Sequence, residues 1–220
     1  MDNEAVNKSV VDKGTVEWIV LTKAPVPGLV KTRLIPALGE QGACDLYEQL
    51  LVRLQDTLTS LTSTQPLQVA LWIAGDAEHE VFKSWSSLAT FYQQPEGSDS
   101  KVDLGERMAV AVKSSLSRGC IPVLIGVDVP DLDEAYLTDC MAQLAVRDLV
   151  ISPAEDGGYG LLGMKQFYSE LFVNKSWGSD TVFESTQADI ARLKINAAYL
   201  QKVWDVDELA DAERFYQFNL

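Results

Sequence analysis

The 220-residue sequence holds a single histidine, His79, and three cysteines, Cys44, Cys120 and Cys140. One histidine cannot build a polyhistidine zinc site, and it excludes a Ser-His-Asp triad unless His79 itself serves. His79 lies in a polar stretch with no partner motif around it and reads as a surface residue. The cysteines are far apart, odd in number and without a Cys-x-x-Cys pair, as expected of reduced thiols in a cytoplasm rather than a disulfide framework. Long hydrophobic runs are missing too. The longest obvious one, Ile121 to Val127, is strand-sized, far short of the ~18 residues of a membrane span. Positive charge is scarce: 18 Lys and Arg face 32 Asp and Glu, for a net charge of −14. Such acidity argues against coating nucleic acid and against docking on anionic lipid. The first 14 residues mix charged and small side chains and lack the apolar core of a signal peptide. A loose N-terminal extension over residues 1–15 is expected.

What is present suffices for a core. The chain is 47% hydrophobic, and at this length no staples are needed. Strand-like and helix-like apolar patterns alternate along it. Val16 to Leu21 and Leu67 to Ala74 read as strands. Between them Ala43, Leu46, Leu50, Leu54, Leu58 and Leu61 recur every three or four residues, so Gly39 to Leu61 is expected to be an amphipathic helix. A short helix over Ala77 to Trp85, a brief strand near Phe91 and a loop over Gln93 to Ser100 follow. Asp103 with Glu106 three residues on resembles a capping box, opening a helix striped by Leu104, Met108, Val112 and Leu116. Ile121 to Val127 is continuous and apolar, as a strand buried on both faces should be. Asp133 to Val146 is helical. Leu149 to Ser152 and Tyr159 to Met164 flank a Gly-rich turn. Ser179 to Leu193 is helical, Ala197 to Trp204 is a last strand, and Asp207 starts a closing helix. This βαβα order predicts one α/β domain over residues 16–220 with a mostly parallel sheet.

Four segments carry candidate chemistry. From Trp18 to Gly39 there are three cations, Lys23, Lys31 and Arg33, and no acid, in a chain otherwise dominated by carboxylates. This proline-stiffened stretch follows the first strand, where ligands collect in open α/β sheets. Backbone N–H groups beside Gly28, two ammonium groups and a guanidinium suit a phosphate or diphosphate; a rigid surface loop with solvated charges is the other reading. Asp128 ends the best strand, in Gly126-Val127-Asp128-Val129-Pro130, and suits Mg²⁺ or Mn²⁺; it also suits a turn or cap. Asp205 and Asp207 would complete a metal site with Asp128, although Asp207 stands where a helix N-cap belongs. Lastly, Glu155-Asp156-Gly157-Gly158-Tyr159 offers carboxylates able to take a proton from a hydroxyl and glycines that let backbone approach a ligand. An Asp-Gly hairpin turn accounts for the same residues.

Together these segments resemble a bacterial family of GT-A-type glycosyltransferases, some associated with arsenosugar biosynthesis. The match runs from about Trp18 to Phe215. It is carried by Lys23-Ala24-Pro25-Val26-Pro27-Gly28 with Lys31-Thr32-Arg33-Leu34, by Leu104-Gly105-Glu106-Arg107-Met108, by the Asp128 and Asp156 segments, by Trp177 with Asp180-Thr181-Val182, and by Asp205-Val206-Asp207. The resemblance implies a Rossmann-like nucleotide-diphospho-sugar transferase (GT-A) fold with helices on both sheet faces. It implies donor phosphates at Lys23, Ala24, Gly28, Lys31 and Arg33, and Mg²⁺ or Mn²⁺ at Asp128, Asp205 and Asp207. Asp156, or else Glu155, would be the catalytic carboxylate. Gly157, Gly158, Tyr159 and Trp177 would meet the acceptor or sugar.

The sequence departs from the family in places. Val127 stands where a Thr or Ser is expected, Gly178 where a small hydroxyl residue is common, and the closing Asp207-Glu208-Leu209 is shortened. The expected activity is transfer of a sugar from a nucleotide sugar to a small acceptor. Two alternatives stand beside it: a nucleotidyltransferase that joins an NTP to a phosphorylated small molecule, and a nucleotide-binding module without turnover.

Overall fold

A seven-stranded sheet forms the middle of the structure, a computed structural model that describes residues 14–95 and 103–218. The expected N-terminal extension, up to residue 13, and the 96–100 part of the expected loop lie outside the described residues. Strand β1 (Val16–Lys23) carries large apolar side chains from Trp18 to Leu21, of which Trp18, Ile19 and Val20 are fully buried. A strand apolar on both faces belongs in the centre of a parallel sheet. Accordingly β1 pairs in parallel with both β2 (Gln68–Ala74) and β4 (Ile121–Ile125). Strand β3 (Thr90–Gln93) adds in parallel to β2.

On the other side, β5 (Leu149–Pro153) and β6 (Tyr159–Met164) form the expected hairpin. β6 inserts between β4 and β5 antiparallel to both, and β7 (Ala197–Tyr199) pairs in parallel with β5. The order is β3-β2-β1-β4-β6-β5-β7. The chain runs outward from β1 in one direction through β2 and β3, and in the other from β4, so a switch point lies between β1 and β4. Ligand crevices of such sheets open at the carboxyl ends of strands at that point.

Alternation along β1 splits the core into two layers. Trp18 and Val20 face one cluster with Leu50, Leu54 and Leu58 of α1 (Ile35–Thr64) and Leu137, Cys140 and Leu144 of α3 (Glu134–Val146). Ile19 faces the other, with Met108, Ala111 and Val112 of α2 (Leu104–Ser117) and Ile190 of α4 (Val182–Arg192). Helices thus cover both faces, as the resemblance implies. α1 breaks at Gly39, whose φ of 71° is non-helical, so its regular part begins where the periodicity begins. No helix among the described residues is long and apolar enough to cross a membrane.

Several expected boundaries shift, among them the end of β4, at Ile125 rather than Val127. The Ala77 to Trp85 helix is a 3₁₀ segment, Glu80–Ser87. α4 starts at Val182 rather than at Ser179, because Ser179 and Thr181 bond to each other through their hydroxyls, 2.8 Å apart. β7 stops at Tyr199, past which its partner changes register at Ser152/Pro153; only Val203 rejoins, bridging to Ala154. The closing helix α5 (Leu209–Phe218) begins two residues after Asp207.

Candidate active site

The loops after β1, β4 and β5 gather over the switch point. Asp128 follows the end of β4 by three residues. Its backbone carbonyl accepts a hydrogen bond from Val206 N at 2.8 Å. Two residues earlier, Trp204 donates from N and Nε1 to the Asp131 carboxylate, at 3.3 and 3.0 Å. These bonds stitch the 204–207 segment to the β4 turn. Asp128 and Asp205, 77 positions apart in sequence, therefore line one cleft of about 340 Å³.

Asp156, Gly158, Tyr159 and Trp177 line the same cleft. Asp156 Oδ1 accepts from Gly158 N at 2.8 Å, which fixes its carboxylate. Glu155, one residue earlier, pairs instead with Arg214, Nη1 to Oε2 3.0 Å, and is not among the lining residues. Arg214 also lies 4.1 Å from the centre of the Trp204 ring. The hairpin thus divides the two candidate carboxylates, with Asp156 on the cleft and Glu155 on the outer surface. Gly157 has φ 86°, and a Cβ there would meet the Asp180 carbonyl oxygen at 2.1 Å. Glycine is required at this close approach, and Gly157 O accepts from Phe183 N at 2.8 Å in α4's first turn.

The cationic loop sits against these acids. Lys31 Nζ donates to Asp128 Oδ2 at 2.8 Å and lies 4.0 Å from Asp207 Oδ1. Arg33 pairs with the other Asp207 oxygen. Lys23 is exposed at the end of β1, while Ala24 is buried. Gly28 adopts φ 83°, beside the Glu40 carboxyl group. So the structure brings Lys31, Arg33, Asp128 and Asp207 into direct contact, sets Asp156 and Asp205 in the adjoining cleft, and leaves Lys23 in solvent and Glu155 outside. Asp211 Oδ2 accepts from the N–H groups of Asp207 and Glu208, at 3.2 and 2.8 Å, and so ties this segment to the start of α5.

The charges perturb one another. Burial would lower the affinity of Lys31 for its proton, yet the Asp128 carboxylate outweighs it and holds the ammonium charged. Burial would raise Asp128, and Lys31 overrides this and keeps it below the usual carboxylate range. Asp205, with no cation so close, is pushed up to about 6 by burial and then by the charges of Asp156 and Asp128. The cleft is thus short of positive charge.

That deficit bears on a divalent cation. No three His, Cys, Asp or Glu side chains among the described residues close into a ready-made cage. A hard cation bound to a phosphate needs less: one or two carboxylates suffice, the rest of its shell being water and phosphate. Asp128 and Asp207, both within 4.0 Å of one ammonium, already converge on a single positive charge. The donor set fits Mg²⁺ or Mn²⁺ held in that manner.

Several lining residues lie outside the sequence-derived set. Leu104 and Met108 of α2 and Leu21 of β1 belong to apolar segments that read as core, and Tyr47 of α1 carries no signal in the sequence. Tyr47 Oη lies 2.8 Å from Thr22 Oγ1 and accepts from Lys23 N at 3.2 Å, bracing the start of the cationic loop. Gly105 permits the α2 wall: a Cβ would meet Phe172 O at 2.2 Å and Trp177 Nε1 at 2.6 Å.

A family described as "Uncharacterized protein conserved in bacteria (DUF2064)" matches residues 57–179. The chain belongs to this DUF2064 family. The match spans the Asp128 turn, the hairpin with Asp156 and the Trp177 segment. No curated protein matches the chain. Among solved structures, it is similar to a "putative nucleotide-diphospho-sugar transferase" of Desulfovibrio desulfuricans G20. That likeness has 28% identity and TM-score 0.79 over 93% of this chain and 88% of the other. Two more distant likenesses concern the fold. One is to 4-diphosphocytidyl-2C-methyl-D-erythritol synthase of Anaerococcus prevotii, at 10% identity and TM-score 0.57 over 94% and 98% of the two chains. The other is to glucosyl-3-phosphoglycerate synthase of Mycobacterium tuberculosis, solved with Mn²⁺, UDP and glucosyl-3-phosphoglycerate, at 11% identity and TM-score 0.52 over 87% and 71%. The DUF2064 chain therefore has the nucleotide-diphospho-sugar transferase fold, with its mostly parallel sheet and two helical layers.

Proposed function

We propose that this protein is a transferase that moves a sugar from a nucleoside-diphosphate sugar to a small hydroxyl acceptor, with residues 16–220 acting as one catalytic domain. The observation that carries the reading is the meeting, at one switch point, of Lys31 and Arg33 with Asp128 and Asp207, beside a cleft lined by Asp156, Asp205 and Trp177. The donor diphosphate would lie against Lys31 and Arg33, and the sugar in the cleft. A Mg²⁺ or Mn²⁺ held by Asp128, with Asp207 and Asp205 beside it, would supply charge stabilisation for the departing diphosphate.

In the reaction the acceptor oxygen bonds to the anomeric carbon. The bond from that carbon to the diphosphate oxygen breaks, and the electron pair leaves with the diphosphate. Asp156 accepts the hydroxyl proton, its carboxylate oriented by the Gly158 N–H. Lys31 and Arg33 stabilise the charge that grows on the leaving group, where preorganised cations contribute most. Trp177 and Tyr159, 6.3 Å apart in an edge-on arrangement, offer aromatic surface to the sugar. The similarity to the Desulfovibrio protein supports this reading, and the UDP and Mn²⁺ complex of the mycobacterial enzyme suits it at the level of fold.

A second reading is nucleotidyl transfer from an NTP to a phosphorylated acceptor. The convergence of Asp128 and Asp207 on one cation favours it, and the cytidylyl-type neighbour supports it at fold level. Incubation with UDP-, GDP- and dTDP-sugars plus Mn²⁺, and separately with NTPs and sugar phosphates, tests the pair. Nucleoside diphosphate release from a nucleotide sugar supports the first reading. Pyrophosphate release replaces it with the second, and neither product contradicts both.

A further inference from the structure

Lys31 is held in an unusual way for a residue that awaits a phosphate. Its backbone lies in the left-handed region, at φ 46° and ψ 44°. That conformation is strained for a non-glycine residue and tends to persist where function demands it. Its side chain is only 7% exposed. Lys23, at the start of the same loop, stands in solvent. Lys31 instead points inward to the carboxylates, at 2.8 Å from Asp128 and 4.0 Å from Asp207. An ammonium between two carboxylates is where a bound cation would be.

We infer that Lys31 is the resident cation of this acidic site, that it must leave Asp128 before a divalent ion can bind there, and that its released ammonium turns to the diphosphate of an incoming nucleotide. Ion binding and nucleotide binding are thereby coupled through one side chain. With the ion alone, the Lys31–Asp128 pair is broken and a nearly buried ammonium loses its closest anion, keeping only the more distant Asp207, which is unfavourable. With a nucleoside diphosphate present, the ammonium gains a new anion. Each ligand then strengthens the other, by the same factor whichever binds first. The first half of the inference concerns the ion alone; the coupling rests on the proposed nucleotide reading.

Titration of Mn²⁺ by electron paramagnetic resonance, with and without UDP or GDP, tests it on the wild type and on Lys31→Met. The wild type should bind Mn²⁺ weakly alone and about tenfold or more tightly with the diphosphate, within the usual range of coupling. Lys31→Met should bind Mn²⁺ alone about tenfold more tightly than wild type, with most of the coupling lost. Relief of charge repulsion alone would tighten Mn²⁺ binding but leave its coupling to the diphosphate intact, so the loss of coupling is diagnostic. Lys31→Arg, which keeps the charge, should restore weak binding. Should the methionine variant not fold, Lys31→Gln takes its place. Equal or weaker Mn²⁺ binding in the neutral variant overturns the inference. Tighter Mn²⁺ binding without turnover of any nucleotide sugar or NTP leaves Lys31 as resident cation and removes the transferase reading. Turnover without tighter binding does the reverse.

Discussion

Lys31 Nζ lies 2.8 Å from Asp128 Oδ2, joining a loop after the first strand to a turn after the fourth across 97 positions of sequence. Each partner shifts the other toward its charged form. Asp128→Asn would remove the charge that holds Lys31 in place. Full burial of such a pair would make its loss cost 3–5 kcal/mol, but Asp128 is 38% exposed. Screening reduces the expected loss to roughly 1–2 kcal/mol, read by urea denaturation. Mn²⁺ binding should be lost in the same variant.

The hairpin separates two adjacent carboxylates, and kinetics should separate them as well. Asp156→Asn should lower kcat by about 10²–10⁴, the usual contribution of a general base. Glu155→Gln breaks only an exposed pair with Arg214 and should change kcat/KM by less than about threefold, in keeping with the small energy of surface pairs. Initial rates with the best donor from the panel decide. Equal losses in the two variants would contradict the division.

Gly105→Ala places a methyl group 2.2 Å from Phe172 O and 2.6 Å from Trp177 Nε1. Overpacking of this kind costs about 1–3 kcal/mol. The Trp177 wall should shift, altering tryptophan fluorescence and weakening donor binding. Denaturant midpoints and fluorescence titration check both effects.

The Trp177 loop has its own anchor. Lys175, 2% exposed, donates to Asp189 Oδ2 at 2.6 Å, and this bond, with that from Arg192, holds the Asp189 carboxyl below its usual range. A folded-state pKa below the unfolded value gives stability that is present above about pH 4 and lost as pH falls through the folded value. Asp189→Asn should therefore lower the melting temperature at pH 7. The gap to wild type should begin to narrow only below about pH 4 and close once pH has fallen through the lowered folded-state value, where Asp189 of the wild type is protonated as well. Melting curves across pH 3–8 test this about the reference carboxyl value.

Much of the fold is legible in the sequence because its signals are local. β4 announces itself as an unbroken apolar run and β1 by its apolar stretch from Trp18 to Leu21, and Asp103 caps α2 by accepting from Glu106 N at 2.8 Å, as the Asp-x-x-Glu spacing predicts. The β5–β6 hairpin follows from its paired glycines. Where the site was less legible, the deciding contacts are long-range. Asp207 has the position of an N-cap in the sequence, yet α5 begins two residues later and the Asp207 carboxylate meets Lys31 and Arg33. Glu155 and Asp156 look equivalent until Arg214, 59 residues later, claims one of them. Leu104 and Met108 follow helical spacing and so read as core, though both also form the cleft wall. Periodicity tells which face of a helix is apolar, but not whether that face meets the core or a ligand.

The most direct test of the account is a crystal structure of the protein with Mn²⁺ and a nucleoside diphosphate bound. The account predicts an anomalous Mn²⁺ peak in contact with Asp128, the diphosphate against Lys31 and Arg33, and the end that carries the sugar directed toward Asp156 and Trp177. A nucleotide bound away from these residues, or Mn²⁺ held by other ligands while Lys31 keeps its bond to Asp128, would contradict it.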